Sequence, residues 1–435
     1  MSYTTISYVL AGGQGFRLMP MTISRAKPAA GMGPSNRIMD YPYSNLINSD
    51  FRRILFLTEY QHESAQRHIT QNLSRYVGGI DQFVRAVSPH RDQEGLKGYA
   101  GTASAIEKNL RYIDEDVSKV NILAGDHVYF MDFGQIHDFH SQTRSEFSIS
   151  AIPTKVELAA KKYGVLKVDE QGRVLEFQEK PETPAEIPGM PGYCLASMGI
   201  YTANAQILKE FLDVDSKKET PLGTDGKPDK KKIVEDHKRF SSHDFGYDII
   251  PALLGAEIPV FAYDFTTNNI PYRERVSNER KEQMPEAERG YWKDVGNIQQ
   301  FFEANMELVA EEPRINIYNP LWPLYGARGI VQPSKDVDRK ILFGDGVIFR
   351  GGELYKCILG DGSSVERSRI KNSILLGDNF IEEGCVIENA ILDKGIHVPA
   401  GTVITPHSEL AERLYQENEH FVQDGKIILP KGFKF

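Results

Sequence analysis

The chain has 435 residues, enough for two or three domains and a core that needs no disulfide staples. Its 51 Lys and Arg against 60 Asp and Glu give a net charge of -9, which provides no general basic footprint for nucleic acid. Three scattered cysteines (Cys194, Cys357, Cys385), no long apolar run and no charged-then-apolar leader point to a reduced, cytoplasmic protein with no membrane partner.

The chain opens on an apolar strand, Thr4–Leu10, that runs into a glycine-rich loop: Leu10, Ala11, Gly12, Gly13, Gln14, Gly15. A dinucleotide fold needs a third glycine in GxGxxG for close helix–strand packing, but Leu18 stands there. The Lys-Ser/Thr end of a Walker loop is missing too. What remains is a turn whose N–H groups can face an anion, with Arg17 beside it and Lys27 ten residues on. Two fixed cations suit a triphosphate that loses pyrophosphate; a plain turn is the alternative.

Strands are expected at Arg52–Thr58, Lys119–Asp126, 147–153, 164–169, 174–180 and 196–201, and helices at 62–73 and 102–110. This alternation predicts an α/β fold with a Rossmann-like, mostly parallel sheet and a ligand beyond the strands' carboxyl ends. Asp126 closes one strand, where it could hold Mg²⁺ or cap a helix. Asp294, in YWKDVG, is a second carboxylate from a distant part of the chain. Glu179 and Lys180 close another strand; they could meet sugar hydroxyls and a phosphate, or form a surface ion pair. The Lys-rich stretch Asp213–Lys238 reads as a solvated insertion.

An amphipathic helix is expected over Asn297–Glu312, ended by Pro313. From about Asp345 the helix period disappears. Ile374, Phe380, Val386, Leu392, Val398 and Ile404 recur every sixth residue, with Gly377, Gly395, Gly401 and Asn389 at turn positions. A six-residue period marks a left-handed parallel β-helix. The resulting division is a nucleotide-type α/β domain over 1–296, a linker helix and loop over 297–330, and a hexapeptide-repeat β-helix over 331–435. His397 and His407 allow a β-helix acyltransferase as an alternative class, but the β-helix has few coils and a whole nucleotide-type domain precedes it.

The succession LAGGQGFRL, AKPA, RIMDYPYSNLINS, YAGTA, LAGDHVY, EKP, SSHDFG and YWKDVG, followed by a hexapeptide domain, resembles the ADP-glucose pyrophosphorylases. These are glucose-1-phosphate adenylyltransferases of the sugar-nucleotide pyrophosphorylase superfamily. The resemblance implies ATP and glucose 1-phosphate as substrates, ADP-glucose and pyrophosphate as products, and a place in glycogen or α-glucan synthesis. It implies a Mg²⁺ cofactor held by Asp126 and Asp294, and catalytic roles for Arg17, Lys27, Asp126 and Lys180. It implies that Leu10 to Gly13, Gly15, Gly101 and Thr102 hold the nucleotide, and that Tyr99, Gly164, Glu179, Lys180 and Ser197 hold glucose 1-phosphate. A homotetramer, possibly with a related subunit, is the family expectation.

Several positions depart from the family pattern. Ser24 replaces a Lys before RAKP, Gly31 a His, and Gly33–Asn36 a basic stretch. All three belong to the effector region, which puts the usual fructose-bisphosphate activation and AMP inhibition in doubt. Gly98 and Ser104 replace Trp and Asp around YAGTA, and Tyr247 replaces Lys in FGYD. The alternatives are a regulatory paralogue and a nucleotidyltransferase for another base or sugar phosphate.

Overall fold

Alternate residues of the first strand part to opposite faces, as a pleated strand requires. In the computed structural model, which describes residues 4–89, 98–224, 228–273, 284–286 and 288–435, Thr5–Leu10 sends Ile6 and Tyr8 into one core and Val9 into another. Arg53–Leu57 does the same, with Leu55 and Leu57 on one side and Ile54 and Phe56 on the other. Both faces are therefore covered, which is the condition for a parallel sheet.

The parallel part runs Phe83–Val87, Arg53–Leu57, Thr5–Leu10, Lys119–Ala124. Beyond it the long strand Tyr193–Asn204 runs antiparallel, and it also pairs with Gly164–Val168 and Phe147–Lys155. Val174–Glu179 extends one edge, and Val260–Asp264 lies parallel to Phe147–Lys155. Leu10 sits level with Ala124, so the glycine loop and Asp126 emerge side by side at carboxyl ends. Each expected strand and helix has a counterpart, with ends shifted by a few residues. The Asn297–Glu312 helix is shorter, Ile298–Leu308, with Asn297 Oδ1 accepting the N–H of Gln300.

The C-terminal region is the left-handed β-helix the repeat implied, but the phase of the inward residues differs from the expectation. Leu392, Val398 and Ile404 do point inward. In the preceding coil the inward positions are Leu375, Ile381 and Ile387, while Phe380 is 41% exposed and Val386 half-buried. The cause is a shortened step at Asn389, which takes the left-handed conformation (φ 52°), as do Asn372 one coil earlier (φ 43°) and Arg367 before it (φ 31°). An Asn tolerates that conformation better than most residues, and each such corner removes one residue from a hexad. Ser364 consequently pairs with Phe380, and Phe380 with His397, so a coil closes one or two residues short of three hexads.

Ile374 is buried but faces outward. It stands in a ladder of Leu342, Ile358, Ile374, Ile391 and Ile428, each in register with the next. That ladder shares one apolar core with Phe301, Phe302 and Leu308 of the linker helix and with Leu18, Met21 and Met32 near the glycine loop. Burying one such aliphatic is worth about 1.5–3 kcal/mol, so this row joins the β-helix firmly to the base of the glycine loop. No helix among the described residues is long and apolar enough to cross a membrane, and Cys194, Cys357 and Cys385 are buried free thiols.

Candidate active site

The two carboxylates that spacing alone could not connect are brought together by a two-stranded ribbon. His127–Tyr129 pairs antiparallel with Trp292–Asp294, with Asp294 opposite His127. One ligand atom from each of Asp126, His127 and Asp294 lies within 4.8 Å of the others. Asp126 precedes a strand rather than a helix, so the capping alternative does not apply. The indole N–H of Trp292 donates to His127 Nδ1 at 3.2 Å. In the neutral ring the proton therefore sits on Nε2, which is 3.5 Å from Asp126 Oδ1 and 3.8 Å from Asp294 Oδ1.

Lys27 lies between the two carboxylates, with its Nζ 2.7 Å from Asp126 Oδ2 and 3.3 Å from Asp294 Oδ1. It is only 7% exposed. Burial opposes its charge, but the two carboxylates outweigh burial and hold its ammonium above the ordinary lysine range. Burial likewise pushes the Asp126 carboxyl up, and Lys27 and His127 more than reverse that. Gly15 makes this approach possible. Its φ is 67°, and a Cβ there would meet Lys27 Cβ at 2.9 Å, so a side chain would push Lys27 off the loop.

On the far side of a cavity of about 290 Å³ stand Glu179 and Lys180. The cavity is lined also by Leu10, Arg17, Lys27, Thr102, Asp126, Gly164, Ser197 and Asp294. The two ends of the sequence's candidate set thus face one space. Burial raises the Glu179 carboxyl, against the pull of the Lys180 ammonium with which it is paired. Gly164 and Gly246 leave room for that carboxylate: a Cβ would come within 3.0 Å and 2.5 Å of Glu179 Oε2 respectively. Ser197 is turned inward by an irregularity of its strand between Ser197 and Tyr201, where Gly199 has φ 65°.

Other candidates lie elsewhere. Tyr99 does not line this cavity. Its N–H donates to Glu59 at 3.1 Å, its hydroxyl accepts from Asn109, and it faces a neighbouring cavity of about 770 Å³ with Gly98, Ser104 and His243. Gly101 packs on the backbone of 242–243, and Thr102 Oγ1 donates to Asp244 Oδ2 at 2.9 Å, which locks YAGTA onto SSHDFG. Ala11, Gly12 and Gly13 form the loop but do not line the smaller cavity. A Cβ on Gly13 would meet nothing within 4 Å.

Sequence reasoning gave no role to His127, Lys162, Tyr201, Asp244, Gly246 or Trp292, all of which line the cavity. Three of them lie in SSHDFG and YWKDVG, so the motifs were the available signal. Burial holds the Lys162 ammonium below the usual lysine range. The solvated reading of Asp213–Lys238 holds for Lys217, which is 70% exposed, but not for Ile233, which is 2% exposed. Residues 225–227 of that stretch lie outside the described residues.

Residues 6–311 match the nucleotidyl transferase family and residues 334–423 the GlmU-like C-terminal hexapeptide family. The chain is 35% identical over 441 residues to the glucose-1-phosphate adenylyltransferase of Photobacterium profundum, covering 99% of this chain and 98% of the relative. It is 36% identical over 427 residues to the enzyme of the same name from Geobacter metallireducens, covering 95% of each. The chain belongs to the glucose-1-phosphate adenylyltransferase family. The positions around RAKP that depart from the family pattern gather in one place, a cleft of about 540 Å³ between the glycine-loop base and the β-helix. Ser24, Gly31 and Gly33–Asn36 line it, together with Arg25, Arg37, Arg67, Arg328, Lys394 and Lys431. Arg25 is paired with Asp393, Arg328 with Asp361, and Arg37 donates to the Ser64 carbonyl.

Proposed function

We propose that this glucose-1-phosphate adenylyltransferase family member joins ATP and glucose 1-phosphate to give ADP-glucose and pyrophosphate, for α-glucan synthesis. The observation that carries the reading is the ribbon that sets Asp294 against Asp126 and Lys27, across one cavity from Glu179 and Lys180. A phosphate monoester is already ionised, so no protein nucleophile is needed. Its oxygen attacks the α-phosphorus in line, the bond to the β-phosphate oxygen breaks, and pyrophosphate leaves with the electron pair. Catalysis is then positioning and charge stabilisation. Arg17 and Lys27 offset the charge that develops on the leaving group, Leu10 to Gly15 with Gly101 and Thr102 seat the nucleotide, and Gly164, Glu179, Lys180 and Ser197 seat the sugar phosphate.

The donor set of Asp126 and Asp294 fits Mg²⁺, which takes one or two carboxylates and completes its shell with substrate phosphates and water. When bound, Mg²⁺ neutralises phosphate charge. Lys27 balances the two carboxylates against each other. The assembly is a homotetramer on this reading, checked by light scattering. Response to fructose 1,6-bisphosphate is weaker than the family expectation on this reading, because Ser24 supplies no ammonium where the family has a Lys, and Arg25 and Arg328 of the cleft are already paired with Asp393 and Asp361.

One observation favours a second reading, a different base. Gly98 lines the larger cavity, and a Cβ there would fall 1.6 Å from Glu59 Oε1, so the family's Trp cannot be accommodated without moving Glu59. The test is pyrophosphate release from ATP, GTP, UTP and dTTP with glucose 1-phosphate or glucosamine 1-phosphate, with and without Mg²⁺. ATP with glucose 1-phosphate should be fastest and Mg²⁺-dependent. Asp126→Asn should abolish turnover while thermal unfolding stays cooperative. No turnover with any pair from folded protein refutes the enzyme reading, and a preference for another nucleotide selects the second one.

A further inference from the structure

Lys230 of the Lys-rich insertion touches the wall of the candidate active site. The insertion's short helix, Lys230–Glu235, begins where Asp229 accepts the N–H groups of Lys231 and Lys232, and it is anchored by buried Ile233. Lys230, at its first position, donates to the Tyr247 hydroxyl at 2.5 Å, with its Nζ 3.8 Å from the centre of the Tyr247 ring. Tyr247 directly follows Gly246 of the cavity wall. Its backbone is held because the N–H groups of Gly246 and Tyr247 both donate to Asp244 Oδ1. Lys180 Nζ lies 5.9 Å from the centre of the same ring, and Lys180 is paired with Glu179. One aromatic ring therefore serves two ammonium groups, one from the insertion and one from the EKP turn.

We propose that Lys230 and Tyr247 are positioning residues for the sugar phosphate: Lys230 fixes the Tyr247 ring, and the ring holds the Lys180 ammonium at the cavity mouth beside Glu179. The inference rests on the reading of this cavity as the sugar-phosphate site. Its physical basis is the conformational freedom of a lysine. Lys180 is 49% exposed on a flexible stem, and freezing such a side chain costs binding free energy unless a neighbour has already ordered it. A ring face within about 6 Å provides that order through the cation–π attraction. The ring can do so only if it is itself held, and the hydrogen bond from Lys230 holds its free end. Two cations near one ring also repel each other. Glu179 offsets this in the free protein, and a sugar phosphate dianion would offset it in the complex. Through Lys230 the insertion is thus coupled to the sugar-phosphate end of the site, while Asp215, Thr220 and Leu222 line the neighbouring larger cavity.

The experiment compares Lys230→Met, Lys230→Arg, Tyr247→Leu and the double variant Lys230→Met/Tyr247→Leu with the full-length wild type. Steady-state kinetics are measured for each substrate, and glucose 1-phosphate is titrated calorimetrically into each protein. Lys230→Met should raise the KM and Kd for glucose 1-phosphate about three- to tenfold, the range of one cation–π contact, with the KM for ATP changed less than about twofold. Lys230→Arg should restore most of the loss, and the double variant should be no worse than Tyr247→Leu alone. Additive losses, equal shifts in both KM values, or no shift in Lys230→Met would overturn the proposal. The titration separates this result from the functional reading. A wild type that binds glucose 1-phosphate without turnover, with binding weakened in Lys230→Met, sinks the reading and keeps the positioning role. No binding by the wild type overturns both.

Discussion

Arg25 and Asp393 are far apart in sequence and form a buried ionic link between the glycine-loop base and the β-helix. Nη1 meets Oδ1 at 2.9 Å and Nη2 meets Oδ2 at 2.8 Å, with side-chain exposures of 7% and 1%. At such burial, removing one partner strands the other charge, which costs about 3–5 kcal/mol, whereas replacing both by apolar groups is often close to neutral. Asp393 retains one other donor, the N–H of Lys394 at 2.8 Å. Arg25→Met should therefore fall at the low end, about 3 kcal/mol. Arg25→Met/Asp393→Leu should recover most of that loss, a coupling of about 2 kcal/mol or more. Urea unfolding followed by tryptophan fluorescence is the assay. The chain has two tryptophans, and Trp322 lies in the apolar core that joins the two regions. Losses under about 1 kcal/mol in the single variants, or a double variant equal to their sum, would refute the reasoning, since exposed pairs behave that way. Turnover should fall in Arg25→Met as well, because Arg25 stands two residues before Lys27, at the entry to the Lys27–Ala29 turn.

Two further perturbations are read directly from the geometry. Gly101→Ala would place a methyl 2.3 Å from the His243 carbonyl oxygen and 2.5 Å from that of Ser242. It should cost about 1–3 kcal/mol and lower kcat by parting Thr102 from Asp244, so unchanged thermal unfolding and kcat would contradict it. Burial holds the His137 imidazole at a pKa of about 3 in the folded protein, against about 6.5 when unfolded. The folded form then binds fewer protons, so the His137 contribution is complete above about pH 6.5 and is lost as pH falls towards 3. It should amount to about 2 kcal/mol between pH 7 and 5, and His137→Gln should flatten the urea-midpoint profile over that window. An unchanged slope would show that His137 does not titrate in that way.

Much of the fold was legible because periodicity reports burial. Ile6, Tyr8 and Val9 alternate because both faces of their strand are covered, and Leu392, Val398 and Ile404 recur by six because one face of each coil points inward. The six-step phase failed upstream of Asn389 because a single left-handed corner deletes a residue. In addition, Ile374 satisfies an apolar pattern by packing outward, on the linker helix. Hydrophobicity alone does not distinguish an inward residue from one buried under a neighbouring element. The antiparallel run of Tyr193–Asn204 was hidden for a related reason, since strand direction leaves no mark on an apolar segment.

The site was legible where chemistry demands a charged residue at a strand end, as at Asp126, Glu179 and Lys180. It was not legible where the demand is for register. Asp294 reaches Asp126 because Trp292–Asp294, a strand of three residues, pairs with His127–Tyr129, and segments so short carry almost no alternation signal. The pairing is fixed instead by side chains: the Trp292 indole donates to His127, the Trp292 ring packs edge-on against Tyr163, and Lys293 reaches Glu307 on the linker helix at 2.5 Å. A slip of one residue would turn Asp294 to the opposite face and leave Lys27 with a single carboxylate. YWKDVG is therefore informative as a whole. Its aspartate carries the charge, its tryptophan and lysine set the register, and the charge is useful only in that register.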